Sequence, residues 1–214
     1  MRTAAARPLR WIGLSGRLVA GMLATAVALW GLSYLFRDTS SIGSNLTDNR
    51  AGVRVLIAHA SLAGIALLAG PWQFIAAWRS KARGLHRWIG RIYACACLFG
   101  GLAGAALAWG TTAGPVAGTG FFLLAVSWMS CTTLGWFTAL RRDFVRHRRW
   151  MIRSFALTFA AVTLRIYLPL SQIAGIDFLT AYIAIAWLCW VPNLIAVELW
   201  LRRHPRPAPG AVPA

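Results

Sequence analysis

Two histidines occur in similar short motifs, and each motif opens a long apolar stretch. His86 begins "HRWIGR" and His147 begins "HRRWMIR", each after a basic loop. Two histidines at the same depth on parallel helices have the geometry that two axial ligands of one b-type haem require, and neighbouring arginines could meet the haem propionates. His86 and His147 are therefore candidate ligands of haem b. The alternative is a pair of interfacial histidines among arginines that contact lipid headgroups.

The helical face that carries His86 is rich in small residues. Gly90 lies one turn after His86 and would leave room for a flat ring, and Tyr93 lies on the same face. Gly90 and Tyr93 are therefore candidate cofactor-binding residues. The alternative is close helix packing through small residues, a pattern that Gly100 and Gly104 satisfy literally.

A second candidate site surrounds an arginine inside an apolar stretch. Arg165 lies near the far end of residues 151–174, where a cation is costly and is by default a sign of function. Pro169 follows four residues later and cannot donate the helical hydrogen bond to the Arg165 carbonyl. Gln172 lies near the same line along the helix, so Arg165 and Gln172 are candidate ligand-binding residues. The alternative is a structural arginine that donates to free carbonyls and holds the bundle in register.

His59 and Gln73 share one face of the apolar stretch 52–78 and are candidate ligand-binding residues as well. Helical rise places His59 roughly 28 Å and Arg165 about 24 Å above the basic ends of their stretches. We therefore expect these two side chains to meet across the bundle. The candidate residues then form two layers. The outer one holds His59 and Arg165, with Tyr167 or Gln172 as a further member. The inner one holds Gln73, His86, Tyr93 and His147, and Asn193 and Glu198 could contribute to it.

The elements that position these residues follow from hydropathy. The chain has 214 residues, of which 58% are hydrophobic, and its mean hydropathy is +0.60, which is too apolar for an ordinary soluble domain. About 20 apolar residues are needed to cross roughly 30 Å of hydrocarbon. Six stretches qualify, at 17–36, 52–78, 87–110, 119–140, 151–174 and 178–201. We predict an all-α, polytopic membrane bundle that forms a single domain over 1–214, with a disordered Pro-rich tail at 203–214.

Basic residues fix the predicted orientation of the bundle. The chain carries 22 Lys and Arg against 5 Asp and Glu, a net charge of +17. Eighteen of these cations fall near the termini and in the second and fourth connections between the stretches, whereas only Arg37, Arg50 and Arg54 fall on the opposite side. The positive-inside rule then predicts that both termini are cytoplasmic in a bacterial plasma membrane. This topology accounts for the charge, and no nucleic-acid-binding motif is present, so nucleic acid is not expected as a partner.

The four cysteines do not indicate a metal site. Cys95, Cys97, Cys131 and Cys189 all fall inside the apolar stretches, and none forms a C-x-x-C motif. We interpret them as small packing residues rather than as disulfide or zinc-binding residues. Apart from the candidate haem iron, no metal is expected.

Four segments resemble a known family. They read "HASLAGIALLAGPWQF", "LHRWIGRIY", "HRRWMIRSFALTFAAVTLRIYLPL" and "AYIAIAWLCWVPNLIAVE". Over about residues 51–200, the chain resembles a family of predicted bacterial membrane proteins of unknown function. The positions that match the family pattern include His59, Gln73, His86, Arg87, Arg91, His147, Arg165 and Pro169. The resemblance implies a polytopic membrane protein and implies no reaction.

Three functions remain open at the level of sequence. The first is a redox subunit that binds haem b, or a quinone between His59 and Arg165; three histidines within or beside the stretches allow at most one bis-histidine haem. The second is a transporter or binding protein for an anion or another small molecule. The third is a structural subunit of a membrane complex. The lipid bilayer is the common partner, and the sequence decides neither the oligomeric state nor whether the chain is an enzyme.

Overall fold

The computed structural model describes residues 14–37, 49–74 and 82–204 of the chain. This part contains eight α-helices and a 3-10 turn at Tyr34–Phe36. The helices are α1 (Leu14–Ser33), α2 (Val53–Trp72), α3 (Arg83–Trp109), α4 (Pro115–Leu140), α5 (Phe144–Thr158), α6 (Ala160–Ile173), α7 (Phe178–Leu188) and α8 (Val191–Arg203).

The described helices form six stretches that are long and apolar enough to cross a membrane, which confirms the predicted number of spans. They are Leu18–Phe36, Val53–Trp72, Arg83–Trp109, Pro115–Leu140, Phe144–Ile173 and Phe178–Arg203. The fifth span consists of α5 and α6, and the sixth consists of α7 and α8. Of the predicted disordered tail at 203–214, Arg203 ends helix α8, whereas residues 205–214 lie outside the described residues, as do residues 38–48 between the first two spans.

The fifth span begins earlier than its hydropathy predicts. Helix α5 starts at Phe144 because the carboxylate of Asp143 accepts a hydrogen bond from the backbone N–H of Arg146 at 2.9 Å and thereby caps the helix. Helix α3 likewise begins before its predicted stretch, at Arg83. As a result, His86 and His147 both lie in the first turn of a helix.

Both long C-terminal spans are interrupted near their middle. The fifth span breaks at Phe159, between α5 and α6, whereas Pro169 lies inside α6. The sixth span breaks at Cys189 and Trp190, shortly before Pro192, whose nitrogen has no proton to donate.

The two interruptions are joined by side chains. The hydroxyl of Thr163, one turn into α6, donates to the Cys189 carbonyl at 2.5 Å. The amide of Asn193 on α8 donates to the same carbonyl at 3.0 Å and to the Thr163 hydroxyl at 3.2 Å. The Cys189 carbonyl, at the interruption of the sixth span, is thus satisfied inside the bundle, as a membrane protein requires.

The spans pack mainly on their neighbours in sequence, from α1 on α2 through to α4 on α5, while α7 packs against α4 and α6. Helix α1 also touches α6. Helices α1 and α2 approach at small residues, because a Cβ added to Gly31 would lie 2.6 Å from the Ala60 carbonyl oxygen. A Cβ added to Gly64 would lie 2.9 Å from the Ala28 carbonyl oxygen. This small-residue contact holds the first span against the bundle.

Candidate functional site

All six described spans, including the 3-10 turn at the end of the first, line a cavity of about 830 Å³. It lies toward the end of the bundle at which α2 and α4 begin and α3 and α6 end, which is the side predicted to face outward. Its walls are mainly apolar and include Trp30, Leu67, Phe121 and Leu164. The cavity thus has the size and lining that small-molecule sites usually have.

His59 and Arg165 both line this cavity, so the two residues of the predicted outer pair share one cavity. The His59 ring packs against Gly104, where an added Cβ would lie 3.0 Å from its Cε1 and Nδ1 atoms. Its Nδ1 lies 2.9 Å from the Gly100 carbonyl oxygen. Because a carbonyl only accepts, this nitrogen carries the proton, and Nε2 is the acceptor in the neutral ring. Gly100 and Gly104, which the sequence associated with helix packing, therefore also hold the His59 imidazole in position.

The guanidinium of Arg165 is half-buried in the cavity wall and donates from Nη1 to the Ala161 carbonyl at 3.1 Å. The two ion pairs found in the described part of the chain join Arg146 to Asp143 and Arg153 to Glu198. Among described residues, Arg165 therefore has no carboxylate partner. Its positive charge is available to a ligand in the cavity.

Gln172 lies outside the lining of this cavity. It is exposed near the end of α6, where its amide nitrogen lies 3.4 Å from the Ser171 hydroxyl and 3.4 Å from the Ile176 carbonyl. Gln172 shares a helical line with Arg165, as predicted, but seven residues of rise carry it about 10 Å farther along the axis. The same face of the helix is thus lined with polar groups at two separate depths.

Gln73 bonds to His86 on the neighbouring helix. In the amide orientation that gives both its groups a partner, the nitrogen donates to His86 Nδ1 at 3.0 Å and to the His86 carbonyl at 3.2 Å. The amide oxygen accepts from the Gly90 N–H at 3.3 Å. An added Cβ at Gly90 would lie 3.2 Å from the same amide. The Gln73 side chain therefore occupies the space beside Gly90 in which the sequence predicted a flat ring.

His147 bonds to a different helix. Its Nδ1 donates to the Gly135 carbonyl on α4 at 2.8 Å, which makes Nε2 the acceptor in the neutral ring. His86 contacts α2 and His147 contacts α4, so each imidazole is oriented by its own neighbour. Joint ligation of one haem iron by these two histidines stays a prediction.

Tyr93 lies in the core of the bundle instead of beside His86. Its hydroxyl lies 2.8 Å from the Ser154 hydroxyl and 2.9 Å from that of Thr158. Two residues of α4 complete this hydroxyl network: Thr132 lies 2.7 Å from the Ser154 hydroxyl, and the indole of Trp128 donates to Thr158 at 2.9 Å. All five side chains are buried.

Sequence analysis missed the two α4 residues of this network. Trp128 and Thr132 are four residues apart and therefore share one helical face, which was the available signal. Trp128 and Thr158 also line the cavity. The hydroxyl network consequently forms its polar floor.

The inner end of the bundle carries a separate set of polar contacts. Arg153 forms a bidentate ion pair with Glu198, in which Nη2 donates to Oε2 at 2.9 Å. Arg149 donates to the carbonyls of Leu201 and His204 at the end of α8. These contacts fasten the last helix to α5 and lie away from the cavity.

Metal-binding groups and cysteines complete the inventory of reactive side chains. Within residues 14–37, 49–74 and 82–204, no three His, Cys, Asp or Glu side chains converge as a metal site would require. The four cysteines carry free thiols, and Cys97, Cys131 and Cys189 are buried. These three buried cysteines act as small packing residues in the core, whereas Cys95 is exposed.

Comparison with known proteins adds a family to this geometry. Residues 56–201 match the family described as "Predicted membrane protein (DUF2306)", a segment that contains His59, Gln73, His86, His147 and Arg165. No curated protein and no solved structure was found to be similar. Together with its six apolar helical spans, the match shows that the chain belongs to the DUF2306 family of predicted multi-pass membrane proteins.

Proposed function

We propose that this protein binds a small amphipathic anion in the cavity, with the anionic head on Arg165 and the apolar body against the walls. The observation that carries the proposal is a guanidinium in the wall of a largely apolar cavity with no carboxylate partner among the described residues. Burying a cation in this way is costly unless a counter-charge arrives. A bound anion would supply that charge.

The chemistry of arginine favours a planar or tetrahedral oxyanion as the head group. A guanidinium presents its donors as a rigid fork that matches carboxylates, sulfonates and phosphates. Arg165 uses one Nη1 donor on Ala161, which leaves further donors for a ligand. The apolar walls favour a hydrocarbon or aromatic body over a small hydrophilic anion.

Binding is also the first step of transport. The interruptions at Phe159 and at Cys189–Trp190 lie near the middle of their spans, and Cys189 lines the cavity. Broken helices beside a binding site are typical of transporters. Transport of the bound anion is therefore an extension of the proposal.

Isothermal titration of the protein in phosphatidylcholine nanodiscs with decanesulfonate tests the binding step. Arg165→Leu should weaken binding roughly tenfold to a hundredfold, because hydrogen bonds to charged groups contribute about 1.5–3 kcal/mol. Arg165→Lys should recover part of the affinity, and the exposed Arg202→Leu should leave it unchanged. Decanol, which has the same body without the charge, should not distinguish Arg165→Leu from the wild type. Equal affinity of the wild type and a folded Arg165→Leu variant for decanesulfonate would refute the proposal.

The second candidate is a haem b redox subunit, and the hydrogen bond of His147 favours it. Histidines that bind metals usually donate their other ring N–H to a carbonyl or carboxylate, as His147 Nδ1 does to Gly135. His86 accepts from Gln73 at Nδ1, so it would have to change tautomer to ligate iron through Nε2. An absorbance spectrum of the reduced protein, expressed with ample haem, decides between the two. Sharp low-spin bands lost in both His86→Ala and His147→Ala would support a haem, and colourless protein would leave anion binding as the function.

A further inference from the structure

We infer that anion binding in the cavity is coupled to the uptake of one proton by Nε2 of His59. This inference rests on the proposed function, because the anion is what makes the proton's arrival favourable. It goes further by naming a second binding partner, the proton, and the atom that holds it.

The hydrogen bond to Gly100 fixes which ring atom can take the proton. Nδ1 of His59 donates to the carbonyl at 2.9 Å, and the ring is held in place against Gly104. In the neutral ring, the proton therefore stays on Nδ1, where it forms the hydrogen bond to the Gly100 carbonyl. Nε2 is the remaining basic atom, so protonation forms an N–H bond there and creates an imidazolium.

Arg165 opposes this protonation when the cavity holds no anion. The guanidinium and the imidazole line the same largely apolar cavity, in which water screens charges only weakly. A second positive charge in apolar surroundings would be neither hydrated nor paired. The other titratable side chains among the described lining residues are those of Tyr34, Tyr182 and Cys189. They carry no positive charge in any protonation state, and no described carboxylate lines the cavity.

A bound anion reverses the balance. A monoanion on Arg165 cancels the charge that repels the imidazolium, and a proton drawn from the solvent can then reside on Nε2 and donate toward the ligand. The complex gains one negative and one positive charge, so binding is electroneutral. By linkage, affinity should rise as pH falls, by up to roughly tenfold per pH unit while His59 is neutral in the ligand-free protein.

Titration calorimetry with decanesulfonate in two buffers of different ionisation enthalpy measures the proton count directly. A sulfonate stays ionised at neutral pH, so every proton taken up belongs to the protein. The wild type in nanodiscs should take up about one proton per anion at pH 7.5. His59→Asn should still bind the anion with no proton uptake, because an amide can replace the Nδ1 donor and has no basic nitrogen.

The matched control is His204→Asn, which changes an exposed histidine far from the cavity lining and should leave the proton count at about one. Anion binding by the wild type without proton uptake, or uptake that persists in His59→Asn, would overturn the inference and leave the anion site standing. Absence of any binding by the wild type would instead overturn the proposed function together with it. If His59→Asn fails to fold, the wild-type proton count and the pH dependence of its affinity decide alone.

Discussion

The hydroxyl of Tyr93 on the third span lies 2.8 Å from the hydroxyl of Ser154 on the fifth, at a depth where both side chains are buried. Because helices in a membrane gain little from hydrophobic burial against one another, such a contact contributes to their association. At the floor of the cavity, it also joins the helix that carries His86 to the helix that carries His147. The hydroxyl network should therefore be measurable as stability.

Tyr93→Phe should lower the free energy of unfolding by about 1 kcal/mol, because it deletes one hydroxyl while Ser154 and Thr158 keep other partners. Unfolding in mixed micelles with rising SDS measures the change. Tyr182→Phe is the matched control, since in the described structure that ring makes aromatic contacts and no hydroxyl bond. Equal losses from both substitutions would contradict a structural role for the network.

Gly31→Ala should destabilise the protein by about 1–3 kcal/mol, since its new Cβ would meet the backbone oxygen of Ala60 at 2.6 Å and force α1 away from α2. Gly21→Ala on the same helix places its Cβ where nothing lies within 4 Å, so stability should stay the same or rise slightly. Melting temperatures of the two variants provide the comparison. A Gly31→Ala protein as stable as Gly21→Ala would show that α1 is not held at this contact.

The Asp177 carboxylate caps α7 outside the spans, and its effect should depend on pH. The pKa of Asp177 lies below its usual range because the carboxylate accepts from the backbone N–H of Thr180 at 3.0 Å and from the Thr180 hydroxyl at 3.1 Å. A lowered folded-state pKa contributes stability that is complete above the ordinary pKa and disappears as pH falls through the lowered value.

Asp177→Ala should consequently melt at a lower temperature than the wild type near pH 7, and the difference should shrink as the pH is lowered toward 3. Asp177→Asn is the control, because an amide also caps a helix and does not titrate, so its advantage over Asp177→Ala should be independent of pH. A wild-type advantage that does not change with pH would contradict the role of the ionised carboxylate.

The orientation of the bundle is still a prediction from the distribution of basic residues, and cysteine labelling of intact bacteria tests it. With Cys95 replaced by Ala, the exposed residues Thr112 and Arg148 can be changed to Cys one at a time. A membrane-impermeant maleimide should label position 112 in intact cells and position 148 only after permeabilisation. The reverse pattern would place the termini outside.

Much of the fold and one half of the candidate site follow from the sequence. Six apolar stretches give six spans because their lengths match a bilayer and their composition excludes a soluble core. His59 and Arg165 were expected to meet because helical rise converts sequence position into depth, and both line the cavity. Counting residues thus placed these two side chains at the level of one cavity in the bundle.

Counting residues does not determine which neighbouring helix a side chain contacts. Tyr93 shares a face with His86, yet its partners are Ser154 and Thr158, which only the packing order of the helices could reveal. The space beside Gly90 looked vacant because sequence gives no sign that the Gln73 amide reaches across from α2. Which helices become neighbours depends on the sum of many weak contacts, and the periodicity of one sequence does not reveal that sum.

Helix α1 lies outside the family-matched segment, yet it supplies Trp30 to the cavity wall, and the 3-10 turn that follows it supplies Tyr34, while His59 and Arg165 lie inside that segment. Part of the cavity wall is thereby supplied from outside the segment that carries His59 and Arg165. A larger or smaller side chain at Trp30 would therefore change the width of the cavity while both polar side chains stay in place. The dimensions of the cavity and its charge can thus be altered independently, by substitutions in separate segments of this chain.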